Sequence, residues 1–599
     1  MSVPPHWDLS NVYPSLESKE FESAVATIKS QIDSLENLFA KKIARMEAKT
    51  PLNELSAAVG ETIKQFNALY TSSGTMRAYL QSFVATDSHN TPAMKKMSEF
   101  QMVEVRIRNL DNQFLAWVGR IVPALEPVIQ SDLIAGEHAF ALRDAAEQSK
   151  YMMSEAEEVL AAELSLSGAN AWGKLQETVT SQLTVDFELD GKTRKLPMPA
   201  LINLHSHPDE PVRRRAYEAE IAAWKTVEEP LAACMNGIKG AVNTLNHHRG
   251  RTDALHPAID MARIDRPTLE AMLGAMEASF PTFRSYLKAK ARRFGKEKLA
   301  WWDIFAPTGK AGRKFSFDEA SDFVITNFGT FSPELAAFAK RAFDNNWIDA
   351  EQREGKRGGA FCMQVPGVKE SRVLCNFDGT LSNVSTVAHE LGHAFHNECA
   401  YQAGKTEIQK DTPMTLAETA SIMCETIVME AVLSQTGDPQ EQLAIIETQL
   451  IGDTQVIMDI FSRYLFEKEV FERRARSELS ADDLCEIMER AQKVTFGEGL
   501  DERYLHKYMW TWKPHYYYPG LSFYNFPYTF GLLFGTGLYA IYLEQGSSFV
   551  TDYKHLLAST GESSAADLAD RFGINIRTPE FWQGSLSVIA SEIERYCRL

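Results

Sequence analysis

The sequence predicts a mainly α-helical, large protein with only a few short β-strands, and three observations point that way. From Lys19 to about Ile121, and again from Pro211 to Phe294, apolar residues recur at helical period over spans much longer than a strand. Period-two alternation is confined to a few short runs. The segment Val387-Ala388-His389-Glu390-Leu391-Gly392-His393-Ala394-Phe395-His396 reads as a helix with one packing face and one polar face.

In chain order, the helical run that opens at Phe21 reaches Phe39, and Pro51 and Thr91-Pro92 break the helical pattern beyond it, so long antiparallel helices are expected. Alternation through Leu183–Arg194 around Asp190-Gly191 predicts a hairpin. Helical patterns resume at Pro211 with interruptions near Gly250 and Pro257, and a Gly/Lys-rich connector at Thr308–Lys314 is a surface loop or hinge. A second loop, Arg353–Ala360, leads into short strands at Phe361–Val365 and Arg372–Asn376. The apolar run Phe530–Leu543 contains three glycines and falls short of the roughly 20 residues a bilayer requires, so it is expected to be a buried helix. The sequence shows no internal repeat, heptad array or low-complexity segment.

Composition narrows the class. With 44% hydrophobic and 24% charged residues, the 599-residue chain is globular rather than disordered. A net charge of −18 disfavours nucleic acid and anionic membrane as partners, since both attract basic surfaces. Seven scattered cysteines suit reduced thiols better than a disulfide framework. The N-terminus lacks the basic start and apolar run of a signal peptide, so a cytoplasmic location is expected.

The motif helix carries the chemistry. His389 and His393, four residues apart, project from one face, so two ring nitrogens can reach one cation. Glu390 lies about 100° round the helix, poorly placed to bind the same metal but near enough to reach a water beside it, the position of a general base. Ser382 or Asn383 can cap the helix, and Val384, Val387, Leu391 and Phe395 form a core-facing stripe. Gly392 costs about 1 kcal/mol against alanine inside a helix, so another backbone or the substrate is expected to pass close.

A metzincin would continue with glycine and histidine where His396 and Cys399 stand, so the third ligand comes from elsewhere. The segment Thr412–Glu425 offers Glu418 and Glu425 on one helical face, and zinc accepts two histidines and one glutamate. A competing role exists for Glu418, because Thr415-Leu416-Ala417-Glu418 has the spacing of a capping box. His205, His207, His247 and His248 have no ligand spacing and are assigned to surface or core. Aromatic residues crowd around His515 between Tyr508 and Phe530, where packing is the default role and oxyanion binding the functional one.

His389-Glu390-Leu391-Gly392-His393 followed by Leu416-Ala417-Glu418-Thr419-Ala420-Ser421 resembles the thimet-oligopeptidase-like zinc metallopeptidases, and the oligoendopeptidase F branch fits best. Trp7-Asp8-Leu9-Ser10-Asn11-Val12-Tyr13-Pro14 and Gly295–Asp303 are also similar to runs in that branch. The resemblance implies a large helical enzyme with a deep substrate channel, a zincin-type helix, and Glu418 as third ligand to one zinc ion per chain. Glu425 is then expected to support the ligands. Pro514-His515-Tyr516-Tyr517 and Phe523–Tyr528 are similar to the family's substrate segment. That likeness favours Tyr528 and His515 as catalytic groups, with Tyr524 and Tyr517 contacting substrate.

The expected function is zinc-dependent hydrolysis of internal bonds in oligopeptides by a water that Glu390 deprotonates. Residues 1–200 form an N-terminal helical region and 201–599 the catalytic region. The alternatives are a zinc exopeptidase and a non-catalytic peptide-binding protein with a vestigial metal site. Oligomeric state is not legible in the sequence.

Overall fold

Pro51 and Asn90 organise the N-terminal helices. In the computed structural model, which describes residues 4–309 and 314–599, the first long helices are Lys19–Lys41, Leu52–Thr86 and Thr91–Ser131. Pro51 stands immediately before the second, and the Asn90 side chain accepts a hydrogen bond from the Ala93 amide to cap the third, with proline in its first turn. The link at residues 87–90 is short and the two helices it joins pack on each other, which leaves them an antiparallel course. Their shared core contains Phe39, Phe66, Leu69, Leu110, Trp117 and Val118.

These helices belong to one of two units, comprising residues 1–151, 313–432 and 541–573. The same unit holds a three-stranded sheet in which Glu370–Leu374 is central, antiparallel to Phe361–Val365 and parallel to Ile348–Asp349. The motif helix, Leu381–Gln402, packs on this sheet. Buried Arg372 explains part of the N-terminal sequence signature: its Nε donates to the Asp8 carbonyl at 2.9 Å and its Nη2 to Asn11 Oδ1 at 2.8 Å.

The other unit comprises residues 152–312, 433–540 and 574–599. Its hairpin pairs Thr184–Leu189 with Lys192–Pro197 across Asp190-Gly191, both with positive φ, as a two-residue primed turn requires. Helix Arg266–Arg293 lies along Pro579–Arg598, and Ile460–Arg474 along Ala481–Phe496. The second signature run ends in Asp303, fully buried and paired with Arg213 at 2.9 Å and Lys296 at 2.6 Å.

The apolar run expected as a buried helix forms most of Phe526–Gln545. The stretch 526–558 is long and apolar enough to cross a bilayer by length and composition, and 67% of its apolar 18-residue window is buried in protein. All seven cysteines are free thiols. Lys310-Ala311-Gly312-Arg313 of the predicted connector lie outside the described residues.

Candidate metal centre

The motif helix begins at Leu381, with Thr380 at its N-cap and no side-chain cap bond. Neither Ser382 nor Asn383 caps it, because both lie within the helix; Asn383 Oδ1 accepts instead from the Asp378 backbone amide at 2.6 Å and ties down the preceding turn. The core stripe forms as the spacing predicts, with Val384, Val387, Leu391 and Phe395 all buried. Gly392 abuts the Ala420-Ser421 backbone: a Cβ there would stand 2.5 Å from the Ala420 carbonyl oxygen and 2.6 Å from Ser421 Cα.

That contact brings Glu418 to the histidines. Glu418 closes the short helix Met414–Ala417, and Thr419–Gln435 follows. The capping-box alternative is not realised, because Pro413 occupies the N-cap position and Thr415 sits inside the turn it was expected to precede. The Glu418 carboxylate accepts from Ser421 Oγ at 2.7 Å and otherwise faces the two imidazoles.

His389 Nε2 lies 3.2 Å and His393 Nε2 3.4 Å from Glu418 Oε2. Ligands about 2.05 Å from a tetrahedral zinc ion stand about 3.3 Å apart, so these separations fit one small cation. The three donor atoms all lie within 4.8 Å of one another, and no other such group occurs among the described residues. Glu425 Oε2 meets His389 Nδ1 at 3.1 Å, and the other carboxylate oxygen, Oε1, accepts from Ser385 Oγ at 2.8 Å. A carboxylate at Nδ1 requires N–H there, which leaves the Nε2 lone pair for a metal.

The electrostatics agree with that donor set. Burial disfavours a charged His389, but the Glu418 and Glu425 carboxylates outweigh it and raise its pKa to about 10. Burial likewise opposes the Glu418 anion, and hydrogen bonds from both imidazoles hold its carboxyl well below the usual range. Together the three groups stabilise a positive charge at their centre. Glu390 differs: it is 6% exposed, its Oε2 has no hydrogen-bond partner, and burial raises its carboxyl above the ordinary value. Cys375 is not part of this donor group, and burial pushes its thiol up to about 12.

The predicted His/Tyr residues gather in the other unit. The His515 ring lies 4.9 Å from Tyr524 and 6.4 Å from Tyr528, centroid to centroid. Tyr528 is 41% exposed, whereas Tyr517 is fully buried and donates its hydroxyl to the Trp510 carbonyl at 3.1 Å. Burial, with Arg463 and Lys513 adding to it, lowers the His515 pKa and favours the neutral ring. Ser385 and Ser421 escaped the sequence reading. Ser421 was legible in principle, three residues after Glu418, but Ser385 joins Glu425 only through tertiary packing.

Gly392→Ala is expected to destabilise the protein by about 1–3 kcal/mol, because the atoms it strikes are backbone rather than flexible side chain. Zinc affinity should fall with stability, since the displaced segment carries Glu418. Denaturant midpoints and a zinc titration measure both, and unchanged values would show that the two segments separate freely.

Residues 203–588 match the sequence profile of "Peptidase family M3", and residues 124–184 that of "Oligopeptidase F". The chain is 22% identical over 591 residues to "Oligopeptidase PepF" of Bacillus subtilis, covering 96% of this chain and 84% of that protein. It is 24% identical over 392 residues to the chromosomal "Oligoendopeptidase F" of Lactococcus lactis, covering 65% and 64%. The fold is similar to a putative peptidase from Chlamydophila abortus, with a TM-score of 0.82, 18% identity and 100% of both chains covered. It is also similar to oligoendopeptidase-F from Enterococcus faecium, with a TM-score of 0.69, 15% identity and coverage of 96% and 98%.

Proposed function

The chain belongs to peptidase family M3, in its oligoendopeptidase F branch, and is a metallopeptidase acting on oligopeptides; on that premise we propose that it is a zinc-dependent endopeptidase cutting internal bonds. One observation carries the reading: three converging donors, His389, His393 and Glu418, accompany a buried Glu390 oxygen that has no partner. Zinc binding alone would not require Glu390.

One zinc ion per chain, held by those three donors, would polarise the scissile carbonyl and make water nucleophilic near neutral pH. Glu390 accepts the proton of the attacking water and returns it to the leaving amine. Glu425 keeps the His389 tautomer fixed. His515, whose neutral ring retains one N–H, donates with Tyr528 to the oxyanion, and Tyr524 contacts the substrate. Tyr517 anchors this segment from the core and so contributes to the substrate site through the residues above it.

The catalytic region is residues 201–599, supported by the extent of the M3 match, with residues 1–200 as the N-terminal region. Seven free thiols support a cytoplasmic setting.

A mixed digest of oligopeptides and a stable folded domain, read by mass spectrometry, tests the proposal. Internal cuts in the peptides, abolished by a chelator and restored by zinc, are expected, with the folded domain left intact. Release of single terminal residues would favour an exopeptidase. Peptide binding without chelator-sensitive cleavage would favour a non-catalytic protein.

A further inference from the structure

Beside His515 and Tyr528 lie charges that the reaction above does not use. A recess of about 20 Å³ is lined by Arg463, Lys513, His515, Tyr524, Asn525 and Tyr528, among others. That is room for the oxygen end of a small polar group, a water needing about 10–15 Å³, and too little for a bulky side chain. A π-helical turn at Gln455–Asp459, a rare element that recurs at functional sites, leads into the helix bearing Arg463.

The nearby carboxylates are already engaged. Asp459 pairs with Arg463. Glu467, which also lines the recess, is bound by buried Lys239 at 2.7 Å and by Asn525 Nδ2 at 3.0 Å. Lys513 has no ion-pair partner among the described residues, and its Nζ stands 3.5 Å from the centroid of the Trp512 ring. Arg463 also keeps a buried Nε without a hydrogen-bond partner. Burial, reinforced by Arg463, lowers the Lys513 pKa to about 7, so its charge is weakened in the empty recess and is stabilised when an anion enters.

We propose that this recess is a subsite for a carboxylate of the peptide substrate, bound by Lys513 and the Nε–H of Arg463. Two cations fit a carboxylate better than a peptide carbonyl, because charge-assisted hydrogen bonds are about twice as strong as neutral ones. The recess shares His515 and Tyr528 with the segment proposed to hold substrate and oxyanion. The inference therefore rests on the peptidase reading. An α-carboxylate at the substrate's C-terminus and an Asp or Glu side chain share this chemistry.

The test compares one peptide as free acid and as C-terminal amide, and a second peptide with Glu or Gln near the cut. Loss of the relevant carboxylate is expected to raise KM about tenfold with little change in kcat. A response to amidation alone identifies the α-carboxylate, and a response to Glu→Gln alone the side chain. Lys513→Met should erase the difference, and Lys513→Arg should retain part of it. Binding of each pair to the Glu390→Gln enzyme, followed by fluorescence anisotropy, gives the same comparison without turnover. If neither replacement changes KM or Kd, or if Lys513→Met weakens acid and neutral peptides alike, the subsite does not exist. Failure to cut any peptide would instead overturn the endopeptidase reading, while the binding comparison would still decide this one.

Discussion

Glu390→Gln is expected to lose about 10³-fold in kcat while keeping the metal, because removing a positioned general base costs about 10²–10⁴. Glutamine preserves the shape but cannot accept the proton of the attacking water. The metal stays because the donors at His389, His393 and Glu418 are untouched. A second consequence separates this loss from misfolding. Burial raises the Glu390 carboxyl in the folded protein, so the fold holds that proton more tightly than the unfolded chain does. Its contribution to stability is therefore greatest at low pH and declines as pH rises through the ordinary carboxylate range toward the raised value. Glutamine removes that penalty, so the metal-stripped variant should be at least as stable as the wild type at neutral pH. Turnover numbers, elemental zinc analysis and thermal unfolding check all three parts. Near-normal cleavage would exclude Glu390 from proton transfer.

How much of this centre was legible in the sequence depended on how local each cause was. The His389/His393 face and its opposing stripe follow from helical period alone, and both formed as expected. Gly392 was interpretable because a mid-helix glycine implies a close neighbour, although only the fold shows that the neighbour is the Ala420-Ser421 backbone. Capping departs from expectation twice for the same reason: several polar residues near a helix start can serve, and the turn before it decides. At the motif helix, Asn383 is engaged by the Asp378 amide, and at the second helix, Pro413 starts a turn earlier than Thr415.

Longer-range partnerships were not legible. Ile348–Asp349 is too short to show a period, and its place beside Val373-Leu374 is purely tertiary. His205 was assigned to surface or core, and it is indeed buried, but its neighbours Glu220 and His506, at 3.2 Å from His205 and 2.8 Å from Glu220 respectively, lie far off in sequence. Lys513 gave no signal, because a lysine code carries no information about burial.

Glu418→Gln should remove most zinc affinity and activity while leaving the fold intact. The fold should survive because glutamine's amide oxygen can still accept the Ser421 hydroxyl and preserve the 418–421 turn. The metal should not, because a neutral oxygen replaces the carboxylate that contacts both imidazole nitrogens. Glu425→Gln is the measure of scale. It touches His389 through Nδ1 and supports the ligand rather than donating to the metal, so it should cost about 10–100-fold in affinity. Glu418→Gln should exceed that loss. Competition with a chromogenic chelator gives both affinities, and circular dichroism confirms the fold. The ordering is decisive: if Glu418→Gln retains full zinc occupancy and turnover while Glu425→Gln loses both, Glu425 is the third ligand and the roles must be exchanged.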